Sequence, residues 1–475
     1  MNVARLMLLA CVGVWTAWAD GTAYEIGKEM DEEAFWKSDP VLFVKRHEEQ
    51  GFRFTSSTRE SADTRLDGAV TYHGLPVYES KIAFAEDNSG ITRVELLLFA
   101  AAGTESVKVV ELEDGRRLRT RTRSDKKLSR EGFVKLMKDV RAALTPEGAK
   151  EPKMESANVK APLVQKSQTW PKSAISTQAT LTWNYEQEGR KANTFKPGFV
   201  RLAVDGPARL AEAKGGKPAA AVAKGAKKIV DNVFRDPRGD VYIDGVPMVD
   251  QGQKGYCSAA VSERVLRYYG VDVDEHEIAQ AAGTTAEGGT STRGMKDAVT
   301  AVGKRYKLGT VVCYGDFEKP VEERIAGLTK EVADYNKAAK KLKKPEIPDS
   351  AYIRREGSMV YYSPSDADKA KDPEVVKDMK VNGPQKSKYT KFMKDVRQQV
   401  EKGIPLIWGV TLGTYPEPEC PQANGGHMRL IIGFNDKKKE ILYTDSWGAG
   451  HELKRMPADW AWTISHCLMY MKPLR

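Results

Sequence analysis

Cys257 closes the run Val249-Asp250-Gln251-Gly252-Gln253-Lys254-Gly255-Tyr256-Cys257. After it, Val261, Val265, Leu266, Tyr268 and Tyr269 recur at helical spacing, and Gly270 is a natural stop. The cysteine therefore stands at or just before the first turn of an amphipathic helix. Unpaired backbone N–H groups and the helix dipole there favour the thiolate, which is the nucleophilic form. Thiol chemistry needs three further parts: a base, a group that orients the base, and donors for a developing oxyanion.

The second chemical element is Gly425-Gly426-His427-Met428-Arg429-Leu430-Ile431-Ile432-Gly433-Phe434, followed by the polar turn Asn435 to Lys438 and the apolar run Ile441-Leu442-Tyr443 ending in Asp445. Folded as an antiparallel hairpin centred on position 436, it sets His427 opposite Asp445. Directly opposed Cβ atoms are ~4.5–5.5 Å apart, within reach for the carboxylate to accept the imidazole Nδ1–H. Gln251 could offer a side-chain donor beside the backbone N–H of Cys257, and Gln253, nearer in sequence, fits the same requirement.

These residues fall in a C-terminal domain read as 233–475. Within it, Val321, Ile325, Leu328, Val332, Tyr335, Ala339 and Leu342 mark an amphipathic helix ending before Pro345, with lysines crowding its end. The lysine-rich stretch around it, about 316–400, reads as a helical insertion without chemistry. An N-terminal α+β module spans 25–210. Its signals are a hairpin from Ile82 to Leu98 about Asp87-Asn88-Ser89-Gly90, a helix opening at Ser129 with Phe133, Met137 and Val140 on one face, and strands at 181–185 and 199–204. Arg117, Arg119, Arg121 and Arg123 alternate, so an extended strand would present them on one side, either as a solvated face or as a grip on an anionic polymer. The Ala/Lys/Gly-rich segment 211–232 reads as a linker between the two units.

The 475 residues exceed one small module, and 41% apolar with 29% charged residues describes a globular chain rather than a disordered or collagen-like one. Residues 1–19 read as a signal peptide. Arg5 supplies the positive start, Leu6 to Thr16 an apolar stretch too short to span a bilayer, and Ala17-Trp18-Ala19 a small-x-small cleavage site. Export to the periplasm, cell surface or medium is expected, without a transmembrane anchor. The net charge of +10 then points to an anionic cell-envelope polymer as partner before nucleic acid. An oxidising compartment favours pairing of Cys420 with Cys313 or Cys467. His276, among Asp274, Glu275 and Glu277, is expected on a solvated surface. His466 beside Cys467 lacks paired ligand spacing, so no metal and no cofactor are expected.

Taken together, Gln251-Gly252, Gly255, Cys257, His427 and Asp445-Ser446-Trp447-Gly448 resemble the papain-type cysteine peptidase pattern over the last ~240 residues. Asp445 where papain has Asn, Ser258 in place of Trp after the nucleophile, and the setting of His427 in Gly-Gly-His-Met resemble the C39-like branch. The resemblance implies an α+β papain-like fold with a helical lobe and a twisted antiparallel sheet. It also implies peptide-bond hydrolysis through a thioester on a peptide or protein substrate. Cys257 would be nucleophile, His427 base and acid, Asp445 orienter and Gln251 oxyanion donor. Trp447 would shield the His–Asp pair, and Gly288-Gly289 would pair with the substrate backbone. Two alternatives stand beside this reading: a transamidase or acyltransferase using the same thioester, and a catalytically inert exported binding protein.

Overall fold

The computed structural model describes residues 23–101, 104–111, 117–124, 127–157, 163–171, 177–187, 195–213, 229–252, 255–282, 284, 292–315, 321–357 and 359–474. The signal-peptide segment, most of the linker, Gln253 and the Gly288-Gly289 pair lie outside the described residues. Residues 117–124 form a strand paired with 104–111, but their side chains, including the four arginines, also lie outside them.

The N-terminal part is built on an antiparallel sheet. Its strands run in the order 155–156, 163–171, 178–186, 196–205, 91–100, 79–84, 61–64 and 53–54. The period-two pattern of its central hairpin is realised with Ile82 opposite Val94, both fully buried. Ser129 caps the Arg130–Leu144 helix by accepting from the Gly132 N–H at 3.0 Å, and Phe133, Met137 and Val140 turn inward to join Leu96, Leu181 and Leu202. At ~1.5–3 kcal/mol for each fully buried large apolar side chain, this row holds the helix to the sheet.

The C-terminal part packs helices Cys257–Tyr268, Glu275–Ala281 and Thr292–Arg305 against a second antiparallel sheet. Strand order there is 233–235, 240–243, 425–435, 406–412, 465–473 and 308–314, with 440–444 and 454–457 branching from the 425–435 strand. Val261, Val265 and Leu266 of the first helix share one core with Trp408, Leu430 and Ile431 of the sheet. The chain is thus α+β, with a helical side and a curled antiparallel sheet meeting at this core. The amphipathic helix spans Val321–Lys341 and forms its own small core, in which Val332 and Tyr335 pack on Val375 and Met379. No helix among the described residues is long and apolar enough to cross a membrane.

Candidate active site

Tyr256 is the N-cap and Cys257 the first residue of the Cys257–Tyr268 helix, so the sulfur sits at the positive end of the helix dipole. The thiol is partly exposed. Burial raises its pKa, but the hydrogen bond and charge of His427, helped by the Met428 backbone and the Ser258 hydroxyl, bring it net below that of an ordinary cysteine. The other cysteines contrast with it: burial pushes Cys313 up to about 11 and Cys467 up to about 12. All four described cysteines are free, which corrects the expected disulfide; the Cys420 thiol instead donates to the Gln422 carbonyl at 3.1 Å.

His427 and Asp445 meet, but not by the expected register. The hairpin pairs Asn435 with Glu440 and Phe434 with Ile441, then slips by one residue between Ile431 and Gly433, so that Leu430 faces Thr444. Continued one step, that register sets Asp445 opposite Arg429, not His427. The bulge decides the chemistry. Without it Asp445 would fall opposite Leu430 and on the wrong face; with it Asp445, Arg429 and His427 share one face. Imidazole Nε2 lies 2.9 Å from Asp445 Oδ1, rather than the anticipated Nδ1. That leaves Nδ1 as the nitrogen available to the thiol. Burial alone would lower the His427 pKa, yet its hydrogen bonds to Asp445 and Cys257 raise it net. Trp447 stacks on the imidazole with centroids 4.1 Å apart and planes 4° from parallel, covering one face of the ring. The His451 ring lies edge-to-face with Trp447, centroids 5.6 Å apart.

Two buried arginines hold this group together, and the motif reading passed over both. Arg429 Nε donates to the same Asp445 oxygen at 2.9 Å, and its Nη1 donates to Glu417 at 2.9 Å. Glu417 also accepts from the Tyr443 hydroxyl at 2.6 Å. Burial raises the Asp445 pKa, but Arg429 and His427 outweigh it and keep the carboxyl ionised. The signal was present: an arginine inside Met428-Arg429-Leu430-Ile431-Ile432, a run otherwise apolar, must be paired if the strand is buried. Arg264, one of the largest fully buried side chains, lies on the same helix as Cys257. It donates to the Asp445 carbonyl at 2.6 Å, to Thr444 Oγ1 at 2.7 Å and to the Pro247 carbonyl at 2.7 Å. Burial lowers its pKa to about 10, so it remains charged at neutral pH. It spans the nucleophile's helix, the end of the Asp445 strand and the segment leading to Gln251. Replacement by methionine leaves two buried carbonyls unsatisfied at ~1–3 kcal/mol each, and Arg264→Met is expected to destabilise the fold by about 3 kcal/mol or more. A urea midpoint equal to wild type would refute this bracing role.

Gln251 is buried, and its backbone N–H donates to the Ser446 carbonyl at 2.7 Å, placing it against the residue that follows Asp445. The structure thus brings together Cys257, His427, Asp445, Trp447 and Gln251. It also corrects His276, which is buried rather than solvated: it pairs with Asp274 at 2.7 Å and lies against the N-terminal module, 3.6 Å from Glu79.

Residues 330–468 match the Peptidase_C39 like family, a stretch that includes His427 and Asp445 and begins inside the segment read from sequence as an insertion. The C-terminal part of the chain accordingly resembles the C39-like branch of the papain-like cysteine peptidases. Two similar solved structures are the peptidase domain of Streptococcus ComA, a bifunctional ABC transporter involved in a quorum-sensing pathway, and xylellain, a cysteine protease from Xylella fastidiosa. The first is 11% identical, covers 48% of this chain and 99% of its own, and has a TM-score of 0.23. The second is 12% identical, covers 52% and 90%, and has a TM-score of 0.24. No curated protein matches the chain.

Proposed function

We propose that the protein is an exported cysteine peptidase that hydrolyses peptide bonds through Cys257, His427 and Asp445. The observation that carries this reading is the lowered Cys257 thiol beside an imidazole whose other nitrogen is held 2.9 Å from a buried carboxylate. The Cys257 thiolate attacks the scissile carbonyl carbon while His427 stands protonated. The oxyanion is received by the helix-start N–H of Cys257 and the side chain of Gln251. His427 then gives its proton to the departing amine, leaving a thioester. Water, deprotonated by the same imidazole, attacks the thioester, and the thiol is regenerated as the acid product leaves. Trp447 keeps bulk water from one face of the imidazolium.

The two shifts give the reading a pH signature. A lowered thiol pKa and a raised imidazole pKa open a window in which Cys257 is thiolate and His427 is imidazolium, the two titrating as a pair. Turnover should rise with pH as the thiol ionises and fall again as His427 loses its proton. Iodoacetamide, which needs only the thiolate, should alkylate Cys257 well before Cys313, Cys420 or Cys467 at neutral pH. In His427→Ala the onset of alkylation should move upward towards the ordinary cysteine range, near 9. Peptide mapping after timed labelling tests this, and equal alkylation of all four cysteines would exclude an activated thiol at 257.

A further inference from the structure

The N-terminal module meets the C-terminal part through ion pairs in which Arg93 and Glu95 are buried and Asp272 is half-exposed. Arg93 binds Asp272 at 2.6 Å and Glu95 at 2.8 Å, and Glu95 in turn binds Arg267, on the same helix as Cys257, at 3.0 Å. Elsewhere Arg305 joins Glu277 at 2.6 Å and Gln165 at 3.1 Å. Ions taken out of water cost several kcal/mol each unless paired, and here partners from the two parts pair one another.

One contact in this seam reaches the proposed oxyanion residue. Residues 244–252, between the Asp240–Ile243 strand and the nucleophile's helix, are irregular, so their backbone groups need partners from elsewhere. Arg264 satisfies Pro247 from within the C-terminal part. The Asp250 carbonyl is satisfied by Arg65, whose Nη2 lies 2.6 Å away. The same guanidinium is anchored by Glu79 of its own module at 3.0 Å and by Glu275 across the seam at 3.3 Å. The Asp250 carbonyl and the Gln251 N–H belong to one planar peptide. That plane is gripped at its oxygen by Arg65 and at its N–H by the Ser446 carbonyl at 2.7 Å. Just beyond it, the Asp250 carboxylate accepts from the Gly252 N–H at 2.8 Å, where Gly252 takes a positive φ of 63°.

We propose that Arg65 is a positioning residue for the oxyanion donor Gln251, and that the N-terminal module is thereby a working part of the active site rather than a removable inhibitory segment. This rests on the peptidase reading above. Without the guanidinium the 250–251 peptide is free to turn, and Gln251 turns with it. A displacement of about 1 Å in a reacting group is enough for roughly 10²-fold in rate.

The test uses the full chain with two readouts. Alkylation of Cys257 by iodoacetamide depends on the thiolate and not on oxyanion donors. Acylation by p-nitrophenyl acetate depends on both: the sulfur bonds to the acetyl carbon, the ester C–O bond breaks, and p-nitrophenolate departs. In Arg65→Met, acylation is expected to fall about 10–100-fold while alkylation stays within about twofold of wild type. Arg65→Lys, which keeps a cation within reach of the carbonyl, should recover part of the loss. Arg305→Met, in the same seam but away from Asp250, should acylate like wild type. Unchanged acylation in Arg65→Met, a parallel fall of both readouts, or an equal loss in Arg305→Met would each overturn the proposal. If Cys257 of the wild-type protein alkylates no faster than an ordinary thiol, the peptidase reading itself fails, and this proposal falls with it.

Discussion

Cys257→Ala is expected to lower peptide turnover by at least about 10⁴-fold while leaving the chain folded. Where a nucleophile and its base act as one unit, removing the nucleophile removes nearly all of the catalysis that the unit supplies. What remains comes from substrate binding and the oxyanion donors, which have no covalent intermediate to stabilise. The structural penalty is small by comparison. Cys257 is only partly buried at a helix start, and loss of one sulfur from such a site stays within about 1 kcal/mol. The substitution should also leave a mark on its neighbour. Part of what raises the His427 pKa is the hydrogen bond and charge of Cys257, so the imidazole should titrate lower in the variant. An NMR titration of His427 alongside the turnover assay separates loss of a nucleophile from loss of structure. Turnover within tenfold of wild type would rule out thioester chemistry at this position.

Those features of the site that depend on short-range pattern were legible in the sequence. The helix starting at Cys257 follows from the spacing of Val261, Val265 and Leu266, all of which are fully buried. The strands on either side of the Asn435–Lys438 turn follow from their apolar runs. The register between those strands was not legible. The bulge lies between Ile431 and Gly433, and it decides which side chain faces Asp445; the glycine inside the strand is a mark of a bulge, but it gives neither the size nor the direction of the slip. His276 was misplaced for a different reason. Its acidic neighbours look solvated along the chain, but their cations, Arg65 and Lys81, arrive from some 200 residues away. A buried ion-pair seam between two sequence-distant parts leaves only unpaired-looking charges in each. Arg429 and Arg264 fall between these cases. Each is a charged residue in a stretch whose pattern demands burial, which signals a required partner without naming it.

The same ion-pair logic separates two substitutions at Asp445. Asp445→Asn keeps an oxygen that can accept from both His427 Nε2 and Arg429 Nε, and Arg429 retains its ion pair with Glu417 at 2.9 Å. Its amide still orients the imidazole but supplies no charge to stabilise the imidazolium, so the raised His427 pKa should fall and the thiolate–imidazolium window narrow. A loss of about tenfold in turnover is expected, with the decline at higher pH moved to lower pH. Asp445→Ala removes both functions. The imidazole loses its tether, and Arg429 is left buried with only one of its two anionic partners. Breaking a buried pair by deleting one member costs about 3–5 kcal/mol, because the remaining charge stays out of water. Turnover should therefore drop by at least about 10³-fold, and the unfolding midpoint should shift clearly below that of Asp445→Asn. Adding Arg429→Met to Asp445→Ala removes one stranded charge but leaves the Glu417 carboxylate, nearly buried, with only the Tyr443 hydroxyl, so the double variant is expected to recover neither stability nor activity. Denaturation curves and pH–rate profiles of the three variants read both effects. If the Ala and Asn variants prove equally stable, Arg429 is not held by Asp445. If their pH profiles match the wild-type profile, the carboxylate does not set the charge state of His427.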